Sequence, residues 1–192
     1  MHEARVKRDA TARVDVGVVW GAPLGQLVDT WFALPELGEV GGLTAAGGDA
    51  VLLEASSPDG AATFLVRAEG AVAPEYRLEL ILHHVEVTGP LVASIRYPTA
   101  SGGEQTLLVP VVKGQFGPAA SLVRLPGLNV DAASTRWSAQ VPAPVVPTTS
   151  WEPTTVVTSI RAALNEATRD AWRQVRELVG DELRAVIDGE LS

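Results

Sequence analysis

The chain contains no cysteine. Disulfide frameworks, thiol catalysis, zinc–thiolate sites and iron–sulfur clusters therefore lie outside its chemistry. Histidine is nearly as scarce, occurring at His2, His83 and His84. Neighbours on a strand point to opposite faces, so His83 and His84 do not hold one metal together unless a bulge turns them. His84 and Glu86 share a face and have the spacing of an acid–base or two-ligand pair; the plainer reading is a polar outer strand face. Lysine is confined to Lys7 and Lys113, and 15 basic residues face 23 acidic ones, for a net charge of −8. That balance offers no basic face to phosphates or anionic lipid, so neither nucleic acid nor a membrane is an expected partner. No stretch approaches the roughly 18 apolar residues of a membrane span, and the charged start, Met1 to Arg8, leads into no apolar run of a signal peptide. A cytoplasmic location is the resulting expectation.

Catalytic signatures are missing as well. There is no GxSxG elbow, SxxK, HExxH or calcium-loop spacing, and the Gly-Gly pairs at 41–42, 47–48 and 102–103 lack the lysine and following helix of a phosphate loop. No catalytic, cofactor-binding or metal-ligating residue is assigned, and the chain is read as non-catalytic. Sites assembled from dispersed Asp, Glu, Arg and Ser leave no linear trace.

What is present is a globular composition, 46% hydrophobic and 20% charged, long enough to bury a substantial core. Residues 12–19 alternate, with Val14, Val16 and Val18 on one face, which predicts a half-buried strand. Pro23 opens a short amphipathic helix through Leu24, Leu27, Val28 and Trp31 that ends before Pro35. After a glycine-rich loop at 38–48, strands are predicted at 50–56, 61–69, 75–87, 91–98 and 105–112. Ser57-Pro58-Asp59-Gly60, Thr88-Gly89-Pro90 and Ser101-Gly102-Gly103 mark turns between them. Short turns join antiparallel neighbours, so the expectation is a five-strand meander. Apolar parity shifts within 75–87, predicting a bulge near Ile81 to His83, and Pro110 places the last strand at an edge or bulge. Residues 114–135 are punctuated by glycine and proline, with Leu122 to Leu125 and Trp137 to Val141 as short strand candidates.

Residues 142–153 carry Pro142, Pro144, Pro147 and Pro153 and read as an extended tether. Beyond it lies a long amphipathic helix within 154–192, with Val157, Ile160, Leu164, Ala167, Ala171, Val175 and Leu178 on one stripe, widened by Trp172 and Val179. Gly180 weakens the helix and Asp181 restarts it. The outer face spaces Glu166–Arg169, Asp170–Arg173 and Asp181–Arg184 for pairing. The organisation is thus a β-rich domain over 1–141, a tether over 142–153 and a helix over 154–192. The fold class is α+β, an antiparallel meander with a short N-terminal helix and a long C-terminal one.

The apolar stripe has to be covered. If it buries about 500 Å², at ~25 cal/mol per Å² the gain is about 12 kcal/mol before ordering costs, enough to anchor a partner. The expected function is a non-catalytic interaction or assembly subunit contacting a protein partner or a sister subunit through Trp151, Ile160, Leu164, Trp172, Val175 and Leu178. The element order is also similar to that of the START and Bet v 1 helix-grip proteins, with Val14 to Val18, Pro23 to Trp31, the meander and Ile160 to Val179 in the corresponding places. That resemblance implies a carrier or binding module with a small apolar ligand held between sheet and helix. Residues 114–153 depart from it.

Overall fold

The computed structural model describes residues 31–34, 49–70, 74–83, 89–111, 119–130, 137–147 and 149–192. The expected strand at 12–19, residues 23–30 of the expected first helix, and His84 with Glu86 lie outside the described residues. Trp31, the last apolar position of that expected helix, belongs to a strand: β1 spans Trp31–Ala33.

Eight further strands follow, β2 (Asp49–Ser56), β3 (Ala62–Glu69), β4 (Glu75–Leu82), β5 (Leu91–Pro98), β6 (Glu104–Val111), β7 (Ala119–Arg124), β8 (Ser138–Gln140) and β9 (Ala143–Pro144). Three helices close the chain: α1 (Pro153–Arg161), α2 (Glu166–Arg176) and α3 (Asp181–Leu191). The fold is α+β with antiparallel pairing throughout the described strands.

The strands are divided between two sheets, one ordered β2-β3-β4-β7 and the other β1-β8-β5-β6 with β9 also on β5. The expected single meander is therefore corrected at Gly89-Pro90. β4 pairs β3 and β7, whereas β5 pairs β6, β8 and β9. The reason is burial. Leu78, Leu80 and Leu82 of β4 and Ala93, Ile95 and Tyr97 of β5 belong to one core, which forms where two sheets face each other. Phe32 of β1 meets Phe64 of β3 edge-on at 5.8 Å across this core, and Trp137 meets Tyr97 in the same way at 6.3 Å.

Local chemistry explains the hairpins. β3 alternates buried and half-buried along its whole length, as expected of a strand with one face inward. Its turn from β2 is closed by Gly60 N–H donating to Ser57 O (2.9 Å) and Ala62 N–H donating to Ser57 Oγ (2.9 Å). Gly60 sits at φ 69°, the left-handed region that glycine enters without a Cβ penalty.

Two expectations about irregularity separate. β4 keeps a regular register with β3 from Glu75 to Leu82 and with β7 from Arg77 to Leu82, so its described part carries no bulge. The register shift lies instead in β2, between Val51 and Leu53, where Leu52 and Leu53 are both buried. Of the edge or bulge read from Pro110, the edge holds among the described strands: β6 ends its sheet. β6 is also buried on both faces. Leu107, Val109 and Val111 enter the sandwich core, while Leu108 belongs to a second cluster beneath the helices. That is why its sequence runs almost continuously apolar.

Candidate interaction surface

The expected single C-terminal helix is broken twice. After α1 the chain straightens, and Ala163 forms an isolated antiparallel bridge with Val123 of β7. Asn165 then caps α2, its Oδ1 accepting from Thr168 N–H (2.8 Å) and from Thr168 Oγ1 (2.7 Å). Gly180 is the N-cap of α3, with Asp181 and Glu182 in its first turn where the dipole favours acid. α1 starts at Pro153, with Glu152 in the cap position.

These helices cover the outer face of β5 and β6. Val156, Ile160, Trp172, Val175, Val179, Leu183 and Ile187 form one cluster with Val92 and Leu108 from the sheet and Val145 from the tether. Trp151 packs edge-on against Trp172, ring centroids 6.4 Å apart. Trp172 is fully enclosed, and its Nε1–H has no hydrogen-bond partner.

The helical unit also seals two sheet edges. β6 and β7 end their respective sheets and lie beside each other. On β6, Leu108 N–H donates to Ser159 Oγ (2.9 Å), and Pro110, two residues on, has no N–H to offer. On β7, Arg124 N–H donates to Ala162 O (2.7 Å), and Leu164 N–H donates to Leu122 O (3.1 Å). Leu122 N–H donates to Thr168 Oγ1 (3.2 Å), which also meets Ser121 Oγ at 3.1 Å. An open pair of edges is a template for further strands, and here both are capped by one helical unit.

Ion pairs tie the helices to one another. Arg161 holds Glu190 through two bonds of 2.8 and 2.7 Å, joining α1 to α3. Arg176 holds Asp188 through Nε and Nη2, joining α2 to α3. These hydrogen bonds hold the Asp188 and Glu190 carboxyls below their ordinary range. Of the spacings read for outer-face pairs, Asp170–Arg173 and Asp181–Arg184 form, and Glu166 reaches Arg173 (2.7 Å).

The six residues expected to meet a partner divide into two groups. Ile160, Trp172 and Val175 are at most 1% exposed, covered by the chain's own sheet and helices. They cluster with Val92 of β5 and Leu108 of β6, which supply apolar surface to the stripe. Trp151, Leu164 and Leu178 remain half-buried, and Val186 and Leu191 join Trp151 and Leu178 along the rim of this cluster. Trp137 lies in the sandwich core. Trp31 is half-buried on β1 with the Arg96 guanidinium 4.2 Å from its ring centre.

Sequence reasoning overlooked Ser159, Asn165 and Thr168. The signal for the break was present, since Asn165-Glu166-Ala167-Thr168 has the spacing of an N-cap and its acceptor. It was masked by apolar residues that keep helical spacing on either side. Ser159 leaves no such trace, because its partner is a backbone amide 51 residues away.

Among the described residues, surface depressions include one of about 210 Å³ beside Leu65, Arg67 and Leu122 and one of about 280 Å³ beside Tyr76, Arg124 and Leu128. Neither is lined by residues of the cluster beneath the helices, the place the helix-grip resemblance gives a ligand. His83 Nε2 lies 2.8 Å from Thr63 Oγ1. Among the described residues no group of three or more His, Asp or Glu is placed to hold a metal ion, and no helix is long and apolar enough to cross a membrane.

The chain is thus an antiparallel two-sheet α+β protein with a C-terminal helical cover on one sheet. No protein-family model matches it, and comparison with curated proteins and with solved structures gives no match.

Proposed function

We propose that this chain is a non-catalytic interaction or assembly subunit whose C-terminal helices and tether contact a protein partner or sister subunit. One observation carries the reading: the helical unit keeps its own apolar cluster, and Trp151, Leu178, Val186 and Leu191 rim it half-buried rather than enclosed. A large aromatic such as Trp151, partly exposed and backed by a rigid neighbour such as Trp172, is a usual contact anchor. Leu164 adds a further half-buried site at the β7 edge. Ile160, Trp172 and Val175 support this surface from beneath.

The test is light scattering on the full chain from about 10 μM to 1 mM, the span in which weak self-association is read. A mass rising above 20.2 kDa, returned toward that value by Leu178→Ser or Trp151→Ala, supports the proposal. A mass of 20.2 kDa at every concentration, unchanged in both variants, overturns the sister-subunit form of the proposal. Removing the helices is a poor alternative, since it uncovers Val92, Leu108 and both sealed edges and so produces association of its own.

A further inference from the structure

We infer that the partner is a second copy of this chain, and that two copies exchange their helical units, each sealing the β6 and β7 edges of the other. The inference takes from the assembly reading above only that the partner is a sister subunit; the contact it specifies is the exchanged helical unit, with the rim of Trp151 and Leu178 left as it is.

Three observations point to exchange. The first is separability. The sandwich core and the cluster beneath the helices are distinct, and among the described residues only Val92 and Leu108 of the sheets belong to the second. Ala162 is the helical-unit residue that reaches the sandwich core. Lifting the unit therefore opens one face and two edges and leaves the sandwich interior in place.

The second is the contact itself. The unit is held by backbone and hydroxyl groups that recognise strand edges: Ser159 on Leu108, Ala162 and Leu164 on β7, and Thr168 on Leu122. An identical edge on a sister chain presents the same groups in the same register, so exchange needs no new surface and loses no contact.

The third is the hinge. The tether follows β5 through Ala143–Pro144 and the Val145 N–H to Pro90 O bond of 3.5 Å. It then folds back at a turn that Thr149 N–H closes on Val146 O (2.8 Å), with Thr149 Oγ1 accepting from Val146 N–H (3.0 Å). Val146 is 44% exposed at this turn. Pro147 follows Val146 in the turn and is equally at home in an extended chain. Opened, residues 146–152 reach about 22 Å at ~3.1 Å per residue, enough to carry α1 from its own sheet to a neighbour's. Closed and exchanged forms differ only in this hinge. The balance shifts toward exchange as protein concentration approaches the effective concentration set by the tether, about mM for a short flexible linker.

The absence of cysteine makes the test direct. Val123 and Ala163 face each other across the bridge, flanked by the Arg124 N–Ala162 O and Leu164 N–Leu122 O bonds. This is the non-hydrogen-bonded pair of an antiparallel ladder, with Cα atoms about 4.5 Å apart, within reach of a disulfide. Val123→Cys and Ala163→Cys are placed on separate, differently tagged chains, refolded together at about 0.5 mM, near the effective concentration of the tether, and oxidised. A disulfide-linked heterodimer in about half of the dimers, the statistical share for random exchange, is the expected result. The Val123→Cys/Ala163→Cys double variant, refolded alone at about 1 μM, far below that concentration, links within the monomer. Intrachain linking in the double variant with no heterodimer in the mixture overturns exchange. A dimer seen by light scattering without that crosslink also overturns it and leaves the assembly reading standing. A double variant that folds and does not link overturns the edge contact on which the exchange depends.

Discussion

Thr168→Val tests whether the helical unit is held by edge recognition or by apolar burial alone. The substitution keeps the shape of the side chain and removes its hydroxyl. In the native chain that oxygen accepts from Leu122 N–H at 3.2 Å, meets Ser121 Oγ at 3.1 Å and donates to Asn165 Oδ1 at 2.7 Å. Asn165 keeps its bond to the Thr168 N–H, so the α2 cap survives. Leu122 N–H does not recover a partner, because the site is closed by a residue only 1% exposed. A buried donor left without an acceptor costs about 1–3 kcal/mol, and the lost Ser121 contact adds about 1 kcal/mol. The expected destabilisation is therefore about 2–4 kcal/mol in urea unfolding, with the slope unchanged. Amide exchange supplies the local readout: protection at Leu122 falls, whereas that of Leu80 in the neighbouring strand falls only with global stability. A loss below about 0.5 kcal/mol with Leu122 still protected refutes the reasoning, since surface-like tolerance would mean that the hydroxyl seals nothing.

Trp172→Phe is expected to cost much less than Trp172→Ala, because the indole N–H has no partner to lose while the ring fills the cluster; about 1–2 against 3–5 kcal/mol, read by denaturation. Gly60→Ala forces a Cβ into a φ of 69° and should cost about 1–2 kcal/mol in thermal unfolding without changing the far-UV spectrum. Asp188 and Glu190 carry carboxyls held below ordinary values of 3.8 and 4.5 by their arginines, so their pairing stabilises the fold fully above those values and the contribution is lost as pH falls through the lowered ones. Arg161→Gln with Arg176→Gln should therefore flatten the acid limb of a stability–pH profile; an unchanged limb would show that these exposed pairs contribute nothing.

Much of the local structure is legible without coordinates. Alternation in Ala62 to Glu69, the Ser57–Gly60 turn and the proline at 110 each report a local steric or hydrogen-bonding preference, and those preferences survive in the fold. The restart at Gly180-Asp181 is of the same kind. The break at Asn165 was equally local and was hidden by helical spacing that continues across it, since periodicity records which side of a helix is apolar and is silent on whether the helix is continuous.

What the amino-acid order determined by itself was the strands β2 to β6, the turns at Ser57–Gly60 and Ser101–Gly103, and an apolar stripe that had to be covered. The tertiary structure decided which sheet each strand joined and what covered the stripe. Gly89-Pro90 reads the same whether the chain returns beside β4 or crosses to an opposing sheet, and the choice is made by the faces of Leu80 and Ile95 burying together. Trp172 and Ile160 carry the same apolar surface whether Val92 and Leu108 or another molecule lies beneath them. Burial has no direction along the chain, so only the packed molecule shows where it is satisfied.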